Sequence, residues 1–494
     1  MIPLFVCLAL FIQVESVAGA TIHVDPSLPG NCAGTYDPAV RSCGGGNAVA
    51  YKTLQDAAAA TQAGDNVLIR GGTYQGTLAP PRSGAPGSII TFRSHPGETA
   101  ILSNVGAPAI SLVDRSYLSI EELTVTDALG WGRVERSRHI IIRNNRFSKA
   151  TARGTTGGLK FVKSAYNKVL NNTFDGGHDS LVLQESDRNL VQGNTFNIAR
   201  HSLVSIRCGN FNVLRGNRFY NPDQKAAEIY DCEGTSDAPV KYNATKYNLF
   251  EKNTFAYTKA SDRDYRYNGI QYGGQNGIVR RNVFHDNQGG ALNFQVYSSE
   301  ALHNNRNHVY NNSFYHNRCY GLVASGSPDS SRYFGNIVKN NIFYGNVDCS
   351  GREIQTLIGN PKAVRLESNA IVKSSPLFES ESARNLRLMS GSPMIDAGAF
   401  ATRTVGRSSG NVMPVEDAGY FFDGFGIPGE AGDIVQLEGQ LASARIIGID
   451  YGKNVLTLDS QLSWENGQNL HLRFSGARPD MGAYEYNAAG TGSR

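Results

Sequence analysis

The chain has 494 residues, 40% of them hydrophobic and 18% charged, which is enough apolar content for a large core. A net charge of +4 argues against nucleic acid as a partner and against an acidic tail. After the first twenty residues no apolar run reaches the roughly 18 needed to cross a bilayer, which excludes a membrane-spanning helix. With 54 glycines against 18 prolines and no sustained 3.6-residue period, the composition describes a chain of tight turns, not a helical bundle.

In chain order, residues 1–20 read as a secretory signal peptide: an apolar run from Ile2 to Ile12 precedes the small-residue site Ala18-Gly19-Ala20. Export implies a secreted or periplasmic protein. Removal of Cys7 leaves Cys32, Cys43, Cys208, Cys232, Cys319 and Cys349, an even set suited to three disulfides. Residues 21–100 form an N-terminal cap and the first coils. Within them a short helix from about Leu54 to Thr61 is placed to plug the apolar end of a stack.

From 101 to 400 the sequence repeats. Asn-x-Phe recurs at Asn145, Asn172, Asn194, Asn217, Asn253, Asn282, Asn312 and Asn341, at spacings of 27, 22, 23, 36, 29, 30 and 29. Each copy follows a short β-rich run, and a second short strand lies between copies, as in GLKFVK, SLVLQE, SLVSIR, AAEIYD and GIQYGG. A unit of this length that cannot bury its own face must stack on its neighbours, so the chain is expected to be an all-β parallel β-helix solenoid. The Asn side chains are expected to bond to their equivalents up the stack. Residues 401–486, with VLTLDSQLSW, NLHLRFSG and GDIVQL, read as a small antiparallel β module, and 487–494 as a frayed tail.

Stacking the second strands places Gly158, Ser180, Ser202, Ala226, Gly269, Ala291 and Gly321 in one column. Leu159, Leu181, Leu203, Ala227, Ile270, Leu292 and Leu322 then form the next, inward-facing column. The outward columns of successive coils carry Lys160 and Lys163, Gln184 and Glu185, Arg207, then Glu228, Tyr230 and Asp231. His178, Arg200 and Lys225 lie just before three of these strands, with Asp179 and His201 beside them, and strict alternation turns His201 inward. Two long inserts, one after Glu233 and one bearing Arg263, Tyr265, Arg266 and Tyr267 ahead of Gln271, fall on the same side, where solenoids build binding sites. In this register Cys208 stacks on Cys232, Cys319 follows one coil before Cys349, and Cys32 pairs locally with Cys43.

The layout resembles the right-handed β-helix group of polysaccharide lyases and uronan C5-epimerases. His201-Ser-Leu-Val-Ser-Ile-Arg207 is similar to the H-G-[aliphatic]₃-S-R stretch of mannuronan epimerases, and His178-Asp179 to their His-Asp pair, although Gly176-Gly177 stands where they carry Asp-Pro. SLVSIRCGNFNVLRGNRF also resembles the L-R-H-G-N segment of alginate and chondroitin lyases; Arg207 matches their Arg, Cys208 replaces their His, and Glu185 falls where they carry Lys. The resemblance implies an enzyme that acts on an acidic, uronic-acid-containing polysaccharide, with Arg207 neutralising the uronate carboxylate.

The chemistry needs that neutralisation, because the C5 proton is hardly acidic while the carboxylate keeps its charge. Arg grips a carboxylate through its fixed fork. Ca²⁺ on Glu185, Glu228, Asp231 and Glu233 is a candidate supplement. His201, His178 or Lys225 are candidate bases, and Tyr230 a candidate acid for the departing oxygen. Lys160, Lys163, Arg200, Arg263, Tyr265, Arg266, Tyr267 and Gln271 are candidate substrate contacts. A lyase acting as a monomer is the leading expectation, with an epimerase and a non-catalytic carbohydrate-binding β-helix as alternatives.

Overall fold

The computed structural model describes residues 19–152, 154–230, 245–260, 267–294, 303–324, 333–359 and 363–487. The segment up to residue 18, expected to be a signal peptide, lies outside them, as do Asp231, Cys232, Glu233, Arg263, Tyr265 and Arg266.

The repeat folds into coils whose strands pair in parallel with those of the coils before and after. One face is a 16-stranded sheet that includes Ile141–Arg143, Lys168–Leu170, Leu190–Gln192 and Val213–Arg215. A second face stacks the Asn-x-Phe strands, such as Thr173–Asp175, Thr195–Asn197 and Arg218–Tyr220. The third stacks Leu159–Val162, Asp179–Gln184, Ser202–Arg207, Lys225–Tyr230, Ile270–Tyr272, Leu292–Phe294 and Leu322–Ala324.

The Asn-x-Phe repeat supplies two internal ladders. The residue before each ladder Asn is left-handed, for example Asn171 at φ 53° and Gly193 at φ 69°, which turns the chain sharply between two faces. The Asn amide then donates to the carbonyl oxygen of its equivalent one coil on, at 3.0 Å for Asn172 to Asn194, Asn194 to Asn217 and Asn217 to Asn253. Two residues later the Phe rings stack in a column, with neighbouring centroids 4.6 Å apart at Phe174–Phe196 and 5.0 Å at Phe196–Phe219. The ladder runs one coil beyond the repeat visible in sequence: Asn341 donates to Asn369 at 2.9 Å, where Ile371 stands in place of Phe. A separate ladder joins Asn167, Asn189, Asn212 and Asn248 at 3.0–3.1 Å.

The helix forms at Leu54–Ala60. Thr53 caps it, accepting from the Asp56 amide at 3.1 Å, and Leu54, Ala57 and Ala58 enter the main core at the N-terminal end of the stack. Cys32–Cys43 and Cys319–Cys349 are disulfides, with Cα atoms 5.6 and 4.1 Å apart. Cys208 is buried and disulfide-bonded, and its expected partner Cys232 lies outside the described residues.

The C-terminal antiparallel sheet of six strands spans Thr402–Arg403 to Asn469–Leu472. It lies against the flank of the stack: Val435, Leu456, Met413 and Phe422 share a core with Leu190, Val213, Leu249 and Ile278 from the outer side of the 16-stranded face. Arg280, 1% exposed, locks the contact through bonds of 2.7 and 2.6 Å to Asp433, and Arg215 bonds Glu430 at 2.5 Å. Phe378, Leu386, Leu388 and Met394 pack likewise on Val283 and Ile342, outside the Asn-x-Phe face. Two of the three faces are thus covered along part of their length. The third carries the charged columns.

Candidate functional site

The register of the third face decides which side chains meet. Leu181 pairs with Val204, not with Leu203, and Val204 with Ala227. The expected column was therefore set one residue early at the strand Ser202–Arg207. Because alternate side chains point to opposite faces, a one-residue slip changes which residues of that strand are expected to face outward, although Arg207 keeps its outward place and Leu203 stays buried. The inward reading of His201 is corrected accordingly: it shares the outward parity of Ser205 and Arg207, and its side chain is 24% exposed.

Asp179 is the centre of the cluster. It opens the strand Asp179–Gln184, pairs with Ser202 one coil on, and is 1% exposed. Its Oδ1 lies 2.7 Å from His201 Nδ1 and accepts from the Ser202 amide at 3.2 Å, while its Oδ2 lies 3.5 Å from Arg207 Nη2 and 3.8 Å from His178 Nδ1. Burial alone would raise the Asp179 pKa; the hydrogen bond from His201 and the charge of Arg207 outweigh it and hold the carboxyl below its usual range. His178 sits directly before His201 in the stack, their rings 5.5 Å apart and 25° from parallel. His201 Nε2 is bonded to none of the described residues, so Asp179 orients a ring whose far nitrogen is free to take a proton.

Arg207 is steadied from two sides. Its Nε donates to Ser205 Oγ at 3.1 Å and its guanidinium lies 5.1 Å from the centre of the Tyr230 ring, the residue it pairs with in the next coil. Burial, and then the nearby Glu228 charge, push the Tyr230 hydroxyl well above its usual range, which keeps it protonated. Glu228 is 6% exposed and ion-paired with Lys225; it also accepts from Ser202 Oγ at 3.3 Å and from Gln271 at 3.5 Å.

The remaining candidates are less connected to this centre. Lys160 lies in the Ser205–Glu228 column two coils before Ser205 and is buried. Lys163 is half-exposed, 3.9 Å from Glu185, and both sit in the turn that follows their strands. Arg200 is exposed and Tyr267 half-buried. Gln184, not Glu185, pairs with Arg207, which corrects the position compared with the lyase Lys. Asp179 and Ser205 were the parts of the centre that motif matching left without a role; their signal was their place in the stack, Asp179 beside Ser202 of the next coil and Ser205 beside Glu228.

Of the carboxylates proposed for Ca²⁺, the two among the described residues, Glu185 and Glu228, do not come together. Glu185 donates its amide to the Arg207 carbonyl from the preceding coil, whereas Glu228 pairs with Ser205 in the following one. At about 4.8 Å per coil that separates them by roughly 10 Å. Glu228 is already neutralised by Lys225, and Asp231 and Glu233 lie outside the described residues. The described residues do not form the cage of six to eight oxygens that Ca²⁺ takes.

The family model for the right handed beta helix region matches residues 98–237 and, overlapping, 181–343. The chain is 26% identical over 322 residues to the Uncharacterized protein YwoF of Bacillus subtilis (strain 168), covering 60% of this chain and 64% of that protein's length. Among solved structures, pectate lyase Pel9A is similar with a TM-score of 0.49 at 14% identity, over 96% of this chain and 98% of that one. The PL6 family alginate lyase AlyGC gives a TM-score of 0.42 at 15% identity, over 69% of this chain and 56% of that one. The parallel pairing of every coil and the matched region agree: the chain is a right-handed parallel β-helix protein.

Proposed function

We propose that this protein is an exported polysaccharide lyase that cleaves a uronic-acid-containing chain by C5 proton abstraction and β-elimination. The observation that carries the reading is the Asp179 centre, which presents His201 and Arg207 side by side on the one coil face that no other part of the described chain packs over. Arg207 receives the substrate carboxylate and withdraws charge from C5. His201 Nε2 takes the C5 proton while Asp179 holds the ring and stabilises the imidazolium that forms. The C5 electron pair forms the C4–C5 double bond, the C4–O bond breaks, and Tyr230 gives its proton to the departing oxygen.

Two disulfides support the exported setting. Among the described residues no helix is long and apolar enough to cross a membrane. The test is the ultraviolet absorbance of unsaturated uronate ends, followed with a panel of uronans. A rise on one substrate supports the lyase and identifies the glycan. A flat trace over the panel overturns β-elimination; exchange of the C5 proton in heavy water at constant chain length would then show the epimerase reaction on the same residues.

A further inference from the structure

The centre that holds His201 also offers a donor set unlike the carboxylate cage expected from the sequence. His178, Asp179 and His201 each present one ligand atom, and the three atoms lie within 4.8 Å of one another. An independent feature points the same way: His178 Nδ1 is buried yet bonded to no partner among the described residues, and it lies 3.8 Å from Asp179 Oδ2. A buried ring nitrogen without a partner is unfavourable, and a coordinated cation satisfies it. The backbone fixes the arrangement, since the His201 amide donates to the His178 carbonyl at 2.9 Å and stacks the two residues one coil apart.

We propose that His178, Asp179 and His201 bind a divalent transition-metal ion of the zinc class. Two imidazole nitrogens and one carboxylate oxygen suit a borderline ion and not Ca²⁺, which prefers oxygen throughout. Two neutral ligands and one anionic ligand leave the dication a net positive charge beside Arg207, with coordination positions open for an anion. The ion and the proton compete for the same atoms. Coordination through His201 Nδ1 moves its proton to Nε2; coordination through Nε2 consumes that lone pair. Either way His201 ceases to be a base, so bound metal suppresses turnover. That last consequence rests on the proposed reaction, whereas the binding itself does not.

The experiment is calorimetric titration of the tag-free, disulfide-bonded protein with Zn²⁺ and, separately, Ca²⁺, with thermal unfolding alongside. The expected result is one saturable Zn²⁺ site that raises Tm, and an affinity at least about tenfold weaker in both His178→Asn and Asp179→Asn. Titration with Co²⁺, followed by its visible absorption bands, reports nitrogen–oxygen coordination without any variant. No saturable binding, unchanged affinity in both variants, or Ca²⁺ binding as tightly as Zn²⁺ overturns the site. Zinc binding through these residues in a protein that acts on no uronan overturns only the reaction. A lyase that ignores zinc overturns only the metal site.

Discussion

Arg207 and Asp179 divide the work of the centre, and their substitutions should separate it. Arg207→Ala removes the only fork within reach of both Asp179 and Tyr230 among the described residues. Turnover is expected to fall by about 100-fold or more, with an unchanged circular dichroism spectrum. Near-normal turnover would remove the proposed role. Asp179→Asn keeps the size of the side chain but takes away the charge that orients His201. A loss of similar order in kcat, with KM moved much less, is expected from kinetics on the responsive uronan. A third residue reports on pH. Burial, aided by the neighbouring Asp480, raises the Glu485 carboxyl from 4.5 to about 7. The folded state then holds a proton that the unfolded state has released between those values, so this group makes stability fall as pH rises from 4.5 to 7. Glu485→Gln should flatten that slope in urea unfolding series; an unchanged slope would deny the shift.

At the level of elements, the Asn ladders do for the turns what the Phe column does for the core. Asn217 donates to Asn253 and to the Val191 carbonyl and accepts from both nitrogens of Asn194. Truncation strands groups that are buried on both sides. Asn217→Ala is expected to cost at least about 2 kcal/mol, read as a lower denaturation midpoint at unchanged m-value. The spacing of the ladder was legible because each coil must repeat the same turn. Asn369 was not, since the motif was anchored on Phe and that coil carries Ile371. The register of the third face was also hidden: Ser202-Leu203-Val204 offers two adjacent aliphatic residues, and only the hydrogen bonds to the neighbouring strands choose between them.

For the whole molecule, the decisive arrangement is which coil faces stay open. The C-terminal sheet covers the outer side of the 16-stranded face through an apolar core and the Arg280–Asp433 pair. Asp433→Asn leaves Arg280 buried with Glu251 as its remaining acidic partner. A loss of about 3 kcal/mol is expected, with earlier proteolysis between the stack and the C-terminal sheet. Equal stability would show that apolar packing alone holds the two together. The module therefore packs along one flank of the stack, on a different face from the charged columns.

The sequence by itself determined the coil, its repeat length, the inward Phe, the ladder Asn and the local pairing of Cys32 with Cys43, because each follows from contacts between neighbouring coils or within one turn. It also brought His178, His201, Arg207 and Tyr230 into consideration, since motif and spacing act along the chain. Their assembly around Asp179 was decided by tertiary structure: which residue faces outward depends on a one-residue choice of strand register. The dispersal of Glu185 and Glu228, and the covering of one flank by residues more than 150 positions away, depend on distances across coils that spacing along the chain does not contain.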